Sequence, residues 1–170
     1  KNLKMNQKIL ALDIATKTGW CTESASGTWD FSLKRGESYG MRVVKFKAAV
    51  REMIKLESIT IVSYERPAGM HVNSVMVASE MVGVLQDLCI EMGIEVTNYA
   101  AKEIKKHATG NGNAGKPLMI AKAKELGYNP ADDNQADAIH LYRMTKEFLQ
   151  LKKKRYFLTQ NLQDYISLQH

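Results

Sequence analysis

The sequence predicts an α/β protein in which helices cover both faces of a mixed five-stranded sheet. Two short apolar runs, residues 9–12 and 59–64, have the length and composition of buried strands. Strand-like and helix-like segments follow in the order three strands, helix, strand, helix, strand, helices. This order is typical of a sheet packed between helices, and 170 residues are enough for one such domain, so we predict that residues 1–170 form a single domain.

The first half of the chain supplies four of the predicted strands and one helix. Residues 9–12 form the first strand, and β-forming residues at 19–22 and 26–31 add an antiparallel pair. Apolar residues at helical spacing between lysines and arginines predict an amphipathic helix over 41–55. A β-branched run then predicts a buried strand over 59–65.

The second half is predicted to be mainly helical. A strand at 94–97 follows the longest apolar segment, and a polar, glycine-rich stretch separates two of the later helices. The predicted helices are 72–92, 100–108, 118–126 and 134–152, with the glycine-rich loop at 109–116.

The two ends of the chain are set apart from this fold. Residues 1–6 are predicted to be a disordered start or a vector-derived remnant. Residues 152–170 form a basic and then polar tail, for which a solvated helix end is favoured over a phosphate contact.

Composition restricts the class of partner and the compartment. A formal net charge of +6 indicates a polyanionic partner, which could be nucleic acid, an acidic protein or an anionic membrane surface. Cys21 and Cys89 are too far apart in sequence for a zinc motif or a disulfide framework, and they suit a reducing compartment. Without a signal peptide or a long apolar span, we expect a cytoplasmic protein with no membrane partner.

Acidic residues stand at three positions where they could meet. Asp13 and Glu65 each end a predicted strand, and Asp137 lies at the start of the last helix, with Asp133 one turn earlier on the same face. A turn-forming role for Asp13 and helix capping for residues 132–134 are the simpler alternatives. Capping does not account for Asp137, which lies inside the helix beside apolar residues.

Clustered carboxylates repel one another unless cations neutralise them. Oxygen ligands select magnesium or manganese, and two such ions are the usual device for displacement at a phosphate. The basic residues before the glycine-rich loop could contact that phosphate or form a solvated helix face. These residues are Lys102, Lys105, Lys106 and His107.

Two helices carry further interpretations. The predicted helix over 72–92 is apolar on more than one side, which suits either the core or the interface of a homodimer. His140, on the last predicted helix, is expected to be packed or capping rather than a metal ligand.

Four motifs together resemble the RuvC family of Holliday junction resolvases, in particular the short divergent forms carried by phages. They are ILALDIATKTGW, IVSYERP, EIKKHATGNGNAGK and DDNQADAIHL, and the resemblance extends to about Tyr142. It implies an RNase H-like fold, a homodimer, and paired nicks across a four-way DNA junction in the cytoplasm of a bacterial host. It also implies two magnesium ions, for which manganese would substitute.

The resemblance also assigns residues. It implies that Asp13, Glu65, Asp133 and Asp137 are catalytic and bind metal, with Lys116 as a further catalytic residue. The family usually carries an acid where this chain has Asn134, so Asp133, Asp132 or a neutral ligand must replace it, and Asp133 is favoured. The implied DNA-binding residues are Lys102, Lys105, Lys106, Gly110, Asn111, Gly112, Lys116 and Arg66.

Other functions share parts of this pattern. The turn after Asp13 also resembles the phosphate loop of actin-like ATPases, but those proteins need a second similar half that this length does not provide. A related family that matures ribosomal RNA precursors shares the acids and the sheet, so structured RNA is an alternative substrate. A non-catalytic module that binds branched DNA is the alternative from another class. Family members often carry an aromatic residue shortly after the Glu65 position, whereas residues 66–71 contain none.

Overall fold

The computed structural model describes residues 7–167, without the side chains of residue 162 and residues 164–167. It contains five strands and five helices within those residues. They are β1 (Ile9–Asp13), β2 (Lys17–Cys21), β3 (Ser26–Asp30), α1 (Gly40–Glu57), β4 (Ile61–Glu65), α2 (Val72–Met92), β5 (Glu95–Tyr99), α3 (Ala101–Thr109), α4 (Lys116–Glu125) and α5 (Asp133–Ser167).

The strands form one mixed sheet in the order β3-β2-β1-β4-β5, which confirms the predicted sheet. β1 pairs antiparallel with β2, and β2 with β3, whereas β1–β4 and β4–β5 are parallel. In the central pair Leu12 lies opposite Tyr64. Since the next residues along these strands are Asp13 and Glu65, the parallel pairing brings the two acids to the same edge of the sheet.

Helices cover both faces of the sheet, as predicted, and each face has its own apolar layer. On one side Leu10 and Leu12 of β1 pack in a layer with residues of α1 and α2. On the other side Ile9 and Ala11 pack in a layer with residues of α3, α4 and α5. Successive strand residues alternate between faces, so Asp13, which follows this second set, projects towards α5.

The start of α5 lies directly against the sheet at Gly19, a residue of β2. A Cβ atom added to Gly19 would fall 1.9 Å from the backbone oxygen of Asn134. The helix start is secured by Asp132, whose Oδ1 accepts hydrogen bonds from the Gln135 backbone N–H and the Thr28 hydroxyl, both at 2.8 Å. Because Gly19 pairs with Asp13, this contact places the first turns of α5 beside the acid of β1.

Several predicted boundaries differ from the structure, and three of them affect the site or the end of the chain. β2 begins at Lys17, so the turn after Asp13 is shorter than expected. α4 begins at Lys116 rather than at residue 118, with Pro117 in its first turn, where a missing N–H costs nothing. α5 continues to Ser167, 15 residues past the predicted end at 152, because no glycine or proline interrupts the lysine-rich segment.

Some expectations concern other parts of the chain. Residues 1–6 and 168–170 lie outside the described residues, and the single-domain organisation stays a prediction. Through residues 7–167, no helix combines the length and apolarity needed to cross a membrane. His140 is buried, as expected, and its Nε2 lies 2.8 Å from the Met119 carbonyl oxygen.

We predict that Gly19→Ala destabilises the protein by about 3 kcal/mol or more, because the added methyl must push the start of α5 off the sheet. Gly83→Ala is the matched control, since Gly83 lies in α2, where no described atom beyond its chain neighbours and the adjoining helix backbone lies within 4 Å of an added Cβ. It should be neutral or stabilising by up to about 1 kcal/mol. Urea unfolding monitored by circular dichroism measures both changes, and equal effects would contradict the proposed close approach.

Candidate active site

Three carboxylates from three elements face one another on the α5 side of the sheet. Asp13 ends β1, Glu65 ends β4, and Asp137 lies one turn into α5. Each is half-buried, and the negative charges of Glu65 and Asp137 both act on Asp13. The predicted convergence of strand-end and helix-start acids is therefore present in the structure.

Burial and mutual repulsion raise the pKa values of these groups. Loss of solvent raises the pKa of Asp13 well above its usual range, and the neighbouring Glu65 and Asp137 raise it further. Burial, together with the negative charge of Asp137, raises the pKa of Glu65 to about 7. For Asp137, burial raises the pKa to about 6 although Lys105 acts in the opposite direction. Ionised carboxylates at this site are therefore unfavourable unless a cation is added.

The rest of the described chain does little to stabilise the ionised form of these carboxylates. No hydrogen bond or ion pair within residues 7–167 uses the carboxylate of Asp13, Glu65 or Asp137. Lys105, half-buried on α3, is close enough to lower the pKa of both Glu65 and Asp137 without forming an ion pair with either. A structural carboxylate at a strand end normally accepts N–H donors, so these three lack the partners that a purely structural role requires.

Asp133 is the fourth acid of the cluster, and it is the one that has a partner. It lies one helical turn before Asp137 and forms an ion pair with Lys116, the first residue of α4. The ammonium group of Lys116 holds the pKa of Asp133 below its usual range, and Asp133 in turn raises the pKa of Lys116. Asp133 also acts on Asp13 through its charge, so it belongs to the same cluster.

Asp132 and Asn134 are the other two candidates for the position of the missing family acid, and their contacts differ from those of Asp133. Asp132 is occupied as the cap of α5, so the expectation that it could serve as the replacement acid is not supported by its contacts. The Asn134 side chain makes no hydrogen bond within the described residues, and its backbone packs against Gly19. Among residues 132–134, only Asp133 raises the pKa of Asp13 and Asp137 by its charge.

The glycine-rich loop joins α3 to α4 close to these acids. Gly110 ends α3 with φ of 80°, a left-handed conformation that glycine adopts without strain. A Cβ on Gly112 would lie 3.1 Å from the Lys102 backbone oxygen, so the loop packs tightly on α3. Asn111 closes the loop by accepting a hydrogen bond from the Asn113 backbone N–H at 2.9 Å. The loop is thus an ordered connection that ends at Lys116.

The other predicted DNA-binding residues lie around this loop. Lys102 and Lys106 are exposed on α3 and form no ion pair within the described part of the chain. Arg66, directly after Glu65, pairs with Glu103 at 3.4 Å between Nη2 and Oε2. The structure therefore brings Lys105 and Lys116 to the acids and leaves Lys102 and Lys106 on the outer surface.

Sequence reasoning missed two residues that build the site. Gly19 admits the start of α5, and Thr28 of β3 donates to Asp132 from the outer strand of the sheet. A glycine inside a strand-like run signals close approach of another backbone, so Gly19 carried a usable signal. Nothing in the sequence links Thr28 to a residue 104 positions away.

The donor set fits a hard divalent cation. All four acids supply carboxylate oxygens, which suit magnesium or manganese, and three of them form no hydrogen bond or ion pair within residues 7–167. No three His, Cys, Asp or Glu side chains within residues 7–167 form a ready group that could hold a metal ion. The side chains of Asp13, Glu65 and Asp137 would therefore have to draw together around an ion.

The sheet order and the strand-end acids define the class of protein, which is the RNase H-like fold. Solved structures agree: RuvC of Thermus thermophilus, in complex with a Holliday junction substrate, superposes with a TM-score of 0.67 at 17% identity, covering 81% of this chain and 91% of that one. A yeast mitochondrial Holliday junction resolvase gives 0.64 at 13% identity, covering 94% and 88%. At these identities the likeness concerns the fold.

The family is shown by sequence. The model of the family "Crossover junction endodeoxyribonuclease RuvC" matches residues 30–143, two thirds of the chain, and the chain belongs to this family. RuvC of Corynebacterium glutamicum is 33% identical over 104 residues, covering 59% of this chain and 47% of that protein. RuvC of Anaeromyxobacter dehalogenans is 36% identical over 73 residues, 42% and 40% of the two chains. The matched region spans about half the length of these relatives, and the phage-type assignment stays a prediction.

We predict that the metal-free protein loses stability as pH rises from about 4 to 7 because of this cluster. The folded-state pKa values of Glu65 and Asp137, about 7 and about 6, exceed those of the unfolded chain, so the folded state binds more protons in this window. Glu65→Gln should therefore stabilise the metal-free protein at pH 8 by about 1–2 kcal/mol and change little at pH 4.

Urea unfolding in the presence of a chelator measures this difference, with Glu52→Gln on the exposed side of α1 as the control. Magnesium should stabilise the wild type at pH 8 more than it stabilises Glu65→Gln. A Glu65→Gln variant that is less stable than the wild type at pH 8 without metal would show that the carboxylate has a partner in the folded protein.

Proposed function

We propose that this protein is a metal-dependent, structure-selective endonuclease that resolves four-way DNA junctions by paired phosphodiester nicks. The observation that carries the proposal is the convergence of Asp13, Glu65 and Asp137, whose carboxylates accept no hydrogen bond within residues 7–167. Membership of the RuvC family supports it, as does the likeness to a fold that is solved with a Holliday junction substrate. Such a DNA substrate, together with the free thiols Cys21 and Cys89, suits the cytoplasm of a bacterial cell.

The metal would be two magnesium ions, for which manganese would substitute. Four carboxylates would hold it: those of Asp13, Glu65, Asp133 and Asp137. The bound ions would supply Lewis-acid stabilisation of charge at the phosphate and a more acidic water. The chain itself places the acids at one edge of the sheet and keeps them partly shielded from solvent. Without metal, the raised pKa values of Asp13, Glu65 and Asp137 favour their protonated forms, so cations would favour their charged forms.

Lys116 and Asp133 form a pair that substrate binding would separate. Lys116 is exposed at the first turn of α4, so its ammonium group can turn from Asp133 to a phosphate oxygen. Asp133 would then be available as a metal ligand. A cation at the scissile phosphate stabilises the negative charge that develops there, which is the catalytic role we assign to Lys116.

The remaining basic residues would position the DNA. Lys102 and Lys106 are exposed next to the glycine-rich loop, and Lys105 lies between them and the acids. The loop of Gly110, Asn111 and Gly112 would approach a phosphate at the same place. The N–H groups of Gly110 and Asn111 already donate to the Lys106 carbonyl and the Thr109 hydroxyl, so within the described residues Gly112 has the N–H that is left for a phosphate. Arg66 would contact DNA only after it leaves Glu103. Phosphate contacts of this kind supply affinity without sequence preference.

A homodimer would allow two cuts in opposite strands. α2 follows Glu65 and exposes apolar side chains on the side away from the core: Val72, Met76 and Ile90 are 68%, 56% and 82% exposed. A second copy covering this surface would relate two acidic clusters by a two-fold axis.

The loop between β4 and α2 carries no aromatic residue, and its Met70 is 95% exposed.

Two alternative functions remain to be tested against this proposal. A nuclease for structured RNA, of the ribosomal RNA precursor type, would use the same acids. A non-catalytic module that binds branched DNA is disfavoured by the four clustered acids, because negative charge at the binding surface weakens contact with a polyanion. Incubation with a synthetic four-way junction, linear duplex and structured RNA, each with and without magnesium, separates the three functions. The proposal requires magnesium-dependent paired nicks in the four-way junction, with no cleavage or weaker cleavage of the duplex and the RNA.

We predict that Asp13→Asn, Glu65→Gln and Asp137→Asn each reduce junction cleavage by at least about 100-fold, because metal binding needs their charge. Junction affinity in calcium should be unchanged or stronger, since removing negative charge does not weaken phosphate contacts. Single-turnover cleavage and gel-shift binding measure the two effects. Near wild-type cleavage by one variant would remove that residue from the site.

We predict that Asp133 replaces the acid that the family carries at the Asn134 position. Asp133→Asn should be nearly inactive, whereas Asn134→Ala should retain activity. Asp132→Asn should also be active, because asparagine caps a helix as well as aspartate does. Single-turnover cleavage at saturating junction ranks the three variants, and an inactive Asp132→Asn with an active Asp133→Asn would reverse the assignment.

A further inference from the structure

The last turns of α5 extend beyond the packed part of the protein. Among the described side chains of this helix, Leu149 is the last that packs in the apolar layer with α3 and α4. From residue 150 to residue 161 every side chain is exposed. Four consecutive cations lie in this extension, and we refer to them as the cationic run: Lys152, Lys153, Lys154 and Arg155.

The cationic run differs from the cations on the other helices. Lys45, Lys47 and Arg51 of α1 and Lys146 of α5 each form an ion pair with a carboxylate. None of the four side chains of the cationic run does so within the described residues. A helix that is cationic and lacks acidic neighbours attracts a polyanion rather than stabilising its own fold.

The distribution of the four positive charges around the helix indicates which kind of polyanion the cationic run would bind. Four consecutive residues point in directions 100° apart, so the positive charge surrounds the helix instead of forming one face. A helix that lies on a membrane separates a charged face from an apolar face, and this extension does not. A coiled-coil seam through Phe148, Leu151 and Leu158 would place Arg155 in its centre, which disfavours pairing with a second copy.

The direction of α5 places the cationic run far from the acids. α5 starts beside Asp13, and Lys146 pairs at 3.1 Å with Glu23, which follows β2 at the opposite edge of the sheet. The helix therefore crosses the sheet away from the acidic cluster. At 1.5 Å per residue, the cationic run lies about 22–27 Å along the axis from Asp137, a distance that a duplex covers in about seven base pairs.

We propose that the cationic run binds the phosphates of a duplex arm of the DNA substrate, at a distance from the point of cleavage. This inference rests on the proposed junction-resolving function and adds to it a second DNA contact that the acidic site does not require. The contact would act on affinity and on the choice of substrates with long arms. It would leave the chemical step unchanged, because these four side chains are remote from the reacting phosphate.

The test compares two triple variants that remove the same charge. Lys152→Gln, Lys153→Gln and Lys154→Gln together remove three cations while keeping good helix-forming residues. The control combines Lys34→Gln, Arg35→Gln and Lys55→Gln, three exposed cations outside both α5 and the acidic cluster. Binding is measured in calcium over a range of salt concentrations, with four-way junctions whose arms are about 20 or about 5 base pairs long.

The run variant should bind the long-armed junction at least about tenfold more weakly near 0.1 M salt, with a salt slope shallower by about two to three units. It should bind the short-armed junction like the wild type, and its single-turnover cleavage rate at saturation should be unchanged. The control should match the wild type throughout, apart from a small non-specific loss. Circular dichroism verifies that both variants are folded.

Other results would overturn the inference. Equal losses in the two triple variants, or equal losses on short and long arms, would mean that only net charge matters. Loss of binding to vesicles of phosphatidylserine and phosphatidylcholine, without loss of DNA binding, would assign the cationic run to a membrane. In each of these cases wild-type cleavage of the junction keeps the proposed function intact, whereas a wild type that neither binds nor cuts junctions overturns both.

Discussion

The close packing of Gly19 against the backbone of Asn134 is the contact on which the arrangement of the site depends. Glycine at this position allows the start of α5 to lie on the sheet, where any larger residue would hold it away. The hydrogen bonds from Gln135 and Thr28 to Asp132 then fix where the helix begins. Because Gly19 pairs with Asp13, these contacts set the position of Asp137 relative to the acid of β1.

The acidic cluster is costly to the protein that carries it. Half-buried carboxylates without donors favour the protonated form and oppose folding once they ionise. The two apolar layers on either side of the sheet offset this unfavourable free energy, because they fix β1 and β4 through contacts away from the acids. Functional sites often retain such unfavourable groups. That Asp13, Glu65 and Asp137 form no hydrogen bond or ion pair in the described part of the chain is more informative than their proximity alone.

Much of the fold could be predicted from local signals. α2 was predicted to the residue, because its long apolar segment is followed by Gly93, which adopts a positive φ of 68° where the helix ends. Asp13 and Glu65 were predicted to meet because each ends a buried strand, and the parallel pairing of β1 with β4 is the structural reason that they do. The end of α5 was not predicted, since lysine-rich segments form helices or solvated tails with little difference in pattern.

The details of the site required information that is not local. Aspartate and asparagine both cap helices and bind metals, so residues 132–134 could not be distinguished until Thr28 and Gln135 showed which one is the cap. The pairing of Lys116 with Asp133 depends on where α4 starts, two residues earlier than its pattern indicated. The roles of the acids, the lysines and the loop in catalysis and DNA binding stay predictions.

The continuity of α5 has a consequence for how the protein could diverge. One uninterrupted helix carries the cap, two of the acids, a strip of the core and the exposed cations, so the spacing between them is counted in residues. Inserting a single residue after Leu149 would rotate everything beyond it by 100° and advance it by 1.5 Å, while the acids stayed in place. The far end of the helix can therefore change its phase and length freely, whereas the same insertion before Asp137 would disrupt the acidic cluster.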